Sequence, residues 1–293
     1  RLLLFCTILL FSACGSKISE NQVTTLDCAD YAGSETVIER AQSHLIILGE
    51  MHGTDESVRA FEHLICSALK QNIPVRVGLE ANWSQGGPLN AALTSPIDMQ
   101  TVHDAAPAMW GVQDGRSSIA VLELLKKISD WRLDGHPIAV FAFDAEPEEW
   151  VASENQAISR DKAMAKQVDK QLSDFDGAVI LLTGEFHARK SAVKVADRRF
   201  IPMASLSKQR PVLSREMRYG AGDAWVNVSV ESADGTIKNS VGPFEMFGNV
   251  GDDDARNVFK ITDTEPGEFD GYYFTGPISS SPPAFPNSFY KPE

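Results

Sequence analysis

His44-Leu45-Ile46-Ile47-Leu48-Gly49-Glu50-Met51-His52-Gly53 is the stretch on which the reading of this chain turns. Four apolar residues without polar alternation suit a parallel strand covered on both faces. The run ends in a glycine, a carboxylate and an imidazole, and the glycine permits a tight turn that displays Glu50 and His52 at the strand's carboxyl end. In open α/β sheets that edge is where ligands bind.

The design recurs in Val179-Ile180-Leu181-Leu182-Thr183-Gly184-Glu185-Phe186-His187-Ala188. Between the two copies, Val75 to Leu79 lead to Glu80, and Ile138 to Phe143 lead to Asp144. Four strand-like runs therefore carry acids and imidazoles to one edge of one sheet. The expectation is that His52 and His187 meet across a shared hollow with acids between them.

Working outward, Thr54 is placed to cap a helix with Asp55 and Glu56 in its first turn and Val58, Phe61, Leu64, Ile65, Ala68 and Leu69 on one face. Asn72 and Pro74 stop it. A small helical region precedes the first strand over Asp27 to Ala41. Further helices are expected from Ser117 or Ser118 through Trp131 and from about Ser153 to Leu172. Strands alternating with helices at this spacing predict an α/β fold: a mainly parallel sheet with helices on both faces, in three layers. Gly86 to Arg116 reads as a long irregular region in which His103, Trp110 and Arg116 either roof the pocket or pack locally. His63 and His136 read as packing residues. Past His187, Arg199 to Leu206 is expected as a fifth strand. A small antiparallel β extension follows from about residue 222, with Trp225 to Val230 paired to Thr236 to Val241 and Gly271 to Phe274 as a last strand. Asp252-Asp253-Asp254 lacks the spacing of a calcium loop and reads as a solvated acidic turn.

The 293 residues, 43% hydrophobic, suit one large domain over 27–293. A net charge of −13 without basic clusters argues against nucleic acid or an anionic membrane surface as a partner. Leu2 to Phe11, followed by Ser12-Ala13-Cys14, resembles a bacterial lipoprotein signal. That implies cleavage after residue 13, lipidation of Cys14, a tether over 14–26, and membrane contact through the lipid anchor alone. The location expected is the bacterial cell envelope, at the periplasmic or the outer-membrane leaflet. In that oxidising compartment Cys28 and Cys66 remain as an even pair, expected to form a disulfide.

The His and Glu set is open to three chemistries. Glu50, His52, Glu185 and His187 can bind a divalent transition metal. A carboxylate can instead hold His52 as a general base on water. Iron in haem is the third, with His52 or His187 as its ligand, which also requires a broad apolar slot. Clustered acids raise one another's pKa unless a cation sits among them, so either a metal or an arginine is expected. No Gly-x-Ser-x-Gly elbow and no phosphate-binding glycine loop occur, which removes covalent serine catalysis and nucleotide chemistry from the leading readings.

With these residues in place, the chain resembles the superfamily that joins ChaN-type haem-binding uptake lipoproteins, Tiki proteases and erythromycin esterases. The likeness rests on Leu48-Gly49-Glu50-Met51-His52, on Glu80, on Arg160-Asp161 with Met164-Ala165, and on Gly184-Glu185-Phe186-His187. It covers Leu45 to Leu206, and Phe269 to Phe274 resembles the closing strand. The resemblance implies a parallel core with its site at the carboxyl edge, and it raises Arg160 from a surface charge to a pocket residue; Asp144 and Asp161 are further site candidates. The catalytic set it implies is Glu50, His52, Glu80, Arg160 and His187. Tiki-like members use these positions for metal-dependent peptide hydrolysis, esterases use the matching histidine as a base, and ChaN-type proteins bind haem. The lipoprotein signal and the length fit the ChaN-type group best. The expectation is an exported lipoprotein holding haem iron or a transition metal, in iron uptake. The alternatives are a hydrolase of an ester or amide in a small molecule or peptide, and a non-catalytic structural protein of the envelope.

Overall fold

In a computed structural model of the protein, residues 26, 28, 31–40, 45–151, 156–195, 198–209, 211–231, 237–248, 257–261 and 268–285 are described. Cys14, the rest of the expected leader, the expected tether up to residue 25, and Asp252 to Asp254 lie outside them.

Along the chain α1 (Ser34–Arg40) precedes β1 (Leu45–Glu50), and α2 (Asp55–Lys70) leads to β2 (Val75–Asn82). Short helices α3 (Gly86–Ala92), α4 (Met99–Ala105) and α5 (Pro107–Gly111) come before α6 (Ile119–Leu133) and β3 (Ile138–Asp144). Next are α7 (Pro147–Val151), the long α8 (Gln156–Leu172) and β4 (Ala178–Gly184), which runs straight into the one-turn α9 (Glu185–Ala188). A small pair, β5 (Val193–Val195) and β6 (Arg198–Phe200), is followed by α10 (Met203–Leu206) and β7 (Val212–Arg218). The hairpin of β8 (Gly222–Glu231) and β9 (Ile237–Met246) precedes β10 (Val258–Ile261) and β11 (Gly271–Phe274).

The main sheet has the order β10-β11-β7-β1-β4-β2-β3, and every neighbouring pair is parallel except β10 with β11. Its strands read as unbroken apolar runs because both faces are covered. Ile46, Leu48, Ile180 and Leu182 face a core shared with α2 and α6, whereas Leu45, Ile47, Val179 and Leu181 face Met164, Val168 and Leu172 of α8 and Met203 of α10. Three layers follow, as expected.

Four details differ from the sequence reading. Among the described residues of the region expected as the first helix, Ser34–Arg40 is helical. The region expected to be irregular before Arg116 carries α3, α4 and α5, which bury Leu89, Val102, Met109 and Trp110 in the core. Arg199 to Leu206 is no strand of the main sheet: Arg198–Phe200 pairs only with β5, and Met203–Leu206 is helical. The strand in that place is β7, whose pattern is interrupted by a charged residue, Arg215, that is nonetheless fully buried. The β8–β9 hairpin forms where the alternation predicts it. Cys28 and Cys66 are joined by a disulfide, which ties the segment before α1 to α2. Among the described residues no helix is long and apolar enough to cross a membrane.

Candidate functional site

Because β1, β4, β2 and β3 lie side by side, Glu50, Gly184, Glu80 and Asp144 reach the same edge of the sheet. There a cavity of about 400 Å³ opens, and Glu50, His52, Glu80, Arg116, Arg160 and His187 line it. The two imidazoles are built alike. Nδ1 of His52 lies 2.8 Å from Oε1 of Glu50, and Nδ1 of His187 lies 2.8 Å from Oδ1 of Asp161. Each carboxylate is itself held: Ser57 of α2 donates its hydroxyl to Glu50 (2.9 Å), and the Met203 amide donates to Asp161 (2.7 Å). Fixed partners of this kind set the tautomer and the orientation of a ring.

Glu80 sits between the two rings, 3.9 Å from Nε2 of each. It accepts hydrogen bonds from Arg160 (2.6 Å), Arg116 (3.1 Å), the Thr183 hydroxyl (2.6 Å) and the Gly184 amide (2.8 Å). Asp144 accepts from Nε and Nη2 of Arg160, both at 2.8 Å, and from Arg116 at 3.2 Å. Two guanidinium groups thus provide the cation that the clustered acids require. Burial alone would raise the pKa of Glu80, but the charges of His187 when protonated, Arg160, His52 and Arg116 hold it well below the usual carboxylate range. For His52, burial pulls the pKa down, yet the charge and hydrogen bond of Glu50, with Glu80 adding, outweigh burial and the opposing Arg116. The net direction is upward.

The two Gly-Glu-x-His motifs also depend on each other sterically. A Cβ at Gly49 would stand 3.0 Å from Cβ of Ala188 and 3.2 Å from Cα of Glu185, both in the second motif. A Cβ at Gly184 would stand 3.1 Å from Nε2 of His52 in the first. Each glycine therefore makes room for the other motif. The turn freedom expected at Gly49 is needed instead at Gly53, where φ is +66°. Trp225 of β8 donates its amide to the Gly53 carbonyl (2.9 Å) and its indole N–H to Gln113 (3.0 Å), which seats the hairpin over the site and brings Val226 and Asn227 to the cavity.

The structure brings Glu50, His52, Glu80, Asp144, Arg160, Asp161 and His187 together, as the sequence reading expects. Arg116 joins them, whereas Trp110 belongs to the core and His103 packs on Phe285. His63 lies against Tyr31, and His136 is buried. Ser57, Asp114 and Thr183 were not expected. Asp114 lines the cavity and pairs with Arg116 at 2.9 Å, in a loop with no periodic pattern to mark it.

The metal set expected from sequence, Glu50, His52, Glu185 and His187, does not close on one point. Nδ1 of each imidazole faces its own carboxylate, Nε2 of His187 faces Nη1 of Arg160 at 2.9 Å, and Glu185 pairs with Arg189 at 2.5 Å. Among the described residues no three His, Cys, Asp or Glu side chains group so as to hold a metal ion. Haem fits poorly for a related reason, since the cavity floor is made of ion pairs rather than an apolar slot.

No protein-family model matches the sequence, and no curated protein matches it. Solved structures do. A histidine-to-asparagine variant of an erythromycin esterase in its open conformation superposes with a TM-score of 0.60 at 11% identity, covering 82% of this chain and 92% of that one. A protein from Bacillus cereus gives 0.56 at 11% identity, over 84% and 91%. ChaN of Campylobacter jejuni with cofacial haem gives 0.43 at 13% identity, over 64% and 86%, a likeness too loose to carry weight. The chain shares its fold with the erythromycin esterase and the Bacillus cereus protein.

Proposed function

We propose that the protein hydrolyses an ester or amide bond, with His52 as the general base that activates water. The observation that carries this reading is the state of the His52 ring. Nδ1 is tied to a buried, doubly held Glu50, while Nε2 makes no hydrogen bond to any described residue and faces the cavity. Nε2 takes a proton from water as the oxygen attacks the carbonyl carbon, and Glu50 stabilises the imidazolium so formed. The cations nearest the carbonyl oxygen as it becomes negative are Arg116 and Arg160, each already paired with acids of the floor. When the tetrahedral intermediate collapses, the leaving alcohol or amine takes the proton from His52, and the carboxylic acid left behind releases its own proton to solvent and becomes a carboxylate. His187, fixed by Asp161, holds Arg160 in place from the side away from Asp144.

The lipoprotein-like leader with Cys14, together with the Cys28–Cys66 disulfide, supports an enzyme that is exported and lipid-anchored at the cell envelope. Purified protein assayed on neutral esters and anilides is expected to turn over at least one class. His52→Ala is expected to lower kcat/KM by roughly 10⁴, the order seen when a base of this kind is removed. A saturable Soret change on titration with haem, with no hydrolysis by the native protein, would overturn this reading in favour of haem uptake. Neither ligand binding nor turnover would favour a structural role.

A further inference from the structure

Both Gly-Glu-x-His motifs have an apolar residue at x, Met51 in the first and Phe186 in the second, and both line the cavity. Met51 is half-buried, with its amide 3.3 Å from Sδ of Met217. Phe186 is 58% exposed, one of the few large apolar side chains left in water, and it stands at the mouth of the cavity. The Arg189 guanidinium lies 5.6 Å from its ring centroid. Val226, a mostly buried residue of the hairpin that Gly53 seats, is the third apolar side chain lining the cavity. Exposed apolar surface gathered beside a polar site marks a ligand contact more often than surface scattered singly.

Below the wall the charge is one-sided. Glu50, Glu80, Asp114, Asp144 and Asp161 face Arg116 and Arg160, and protonating both imidazoles would still leave five negative charges against four positive. Glu185 is neutralised by Arg189. Such a floor disfavours an anionic substrate and pushes out the carboxylate that hydrolysis leaves behind. We propose that Phe186, with Met51 and Val226, forms the specificity wall of the site and that the substrate is an uncharged or cationic ester or amide whose apolar acyl chain lies along these three side chains. This inference rests on the hydrolase reading of the same cavity.

The test is a chain-length series of neutral p-nitrophenyl esters, acetate to octanoate, with the anionic succinate monoester as a charge control. In the native protein kcat/KM rises with chain length and the succinate ester is turned over worst. Phe186→Ala lowers the octanoate-to-acetate ratio roughly tenfold, the scale on which apolar pockets discriminate chain length, and Phe186→Leu restores most of it. A parallel calorimetric series binds N-alkyl amides of the same lengths to His52→Ala, so that affinity is read without turnover. Graded binding lost in Phe186→Ala/His52→Ala, in a native protein that hydrolyses nothing, upholds the wall and removes the hydrolase. Hydrolysis indifferent to chain length and to Phe186, or a preference for the succinate ester, overturns the wall and leaves the hydrolase standing. A Phe186→Ala variant unchanged in every one of these readouts also overturns it, and assigns the exposed ring to a macromolecular contact.

Discussion

At the scale of single residues, the acids and imidazoles that end apolar runs are legible because a strand's direction fixes where its last side chain goes. Glu50, His52, Glu80, Asp144 and His187 fall in this class. Arg160 became legible only through family resemblance, since a charged residue on a long helix normally faces solvent. Ser57 and Asp114 carried no signal, one being a small polar residue on a helix and the other a loop acid. The role of Glu50 has a measurable signature. Its charge and hydrogen bond lift the His52 pKa, and the base acts only when deprotonated, so the acid limb of kcat/KM in the native protein lies above the ordinary histidine value of about 6.5. Glu50→Gln removes the lift, and the limb moves to lower pH while kcat falls by roughly 10²–10⁴. A limb unmoved by Glu50→Gln would mean that another group titrates.

Arg215 makes a second residue-scale case, one of stability. It is fully buried on β7, its Nη1 donates to the Ser214 carbonyl at 3.0 Å, and its Nε and Nη2 have no hydrogen-bond partner among the described residues. Burial pushes its pKa down to about 10. The charge of Asp270 offsets this burial only in part, so Arg215→Met, similar in length and apolar, is expected to leave stability unchanged or to raise it by about 1–4 kcal/mol. Urea unfolding reads the difference. A loss above about 1 kcal/mol would show that the guanidinium holds β7 in register.

At the scale of elements, long apolar runs and amphipathic helices were read correctly in kind, and β7 was missed because Arg215, Glu216 and Arg218 break the apolar pattern that marks a buried strand. The short helices α3 to α5 were hidden by their shortness and by the Gly and Pro of α3 and α5, although Leu89, Val102 and Trp110 tie them to the core. The cysteines were legible because the expected signal peptide accounts for Cys6 and the expected lipidation for Cys14, which leaves two. Their disulfide fastens the segment before α1 to α2, where Ser67 also donates to Ser34 at 2.9 Å. With a sequence separation of 38 residues, the closed loop is expected to stabilise the fold by about 4 kcal/mol through lost unfolded-state entropy. Reduction, or Cys66→Ser, should remove that amount in urea unfolding, and unreduced protein should resist thiol labelling at both positions. A cost under about 1 kcal/mol would mean that packing of α1 on α2 holds this corner unaided.

At the scale of the whole molecule, the class of fold was readable from the alternation of strands and helices, but the strand order was not. Nothing local in the sequence says that β4 inserts between β1 and β2, although that insertion is what brings the two motifs into contact. Glu80 is the residue on which the assembled edge converges: it joins β2 to the end of β4 through Thr183 and Gly184, to α8 through Arg160, and to the loop before α6 through Arg116. Its pKa is held well below the ordinary value, so the native state binds this proton less readily than the unfolded chain. The resulting stability is fully present above the unfolded carboxylate value of about 4.3, and it is lost progressively as pH falls toward the native value. Glu80→Gln cannot ionise. It is expected to cost roughly 3–5 kcal/mol at pH 7, because two buried guanidinium groups lose a counter-charge. Its stability should then fall less steeply than that of the native protein below pH about 4.3. Urea unfolding at a series of pH values from 7 to 3 compares the two slopes. Parallel slopes would place the acid sensitivity in other carboxylates and leave Glu80 as a packing residue between rings that do not depend on its charge.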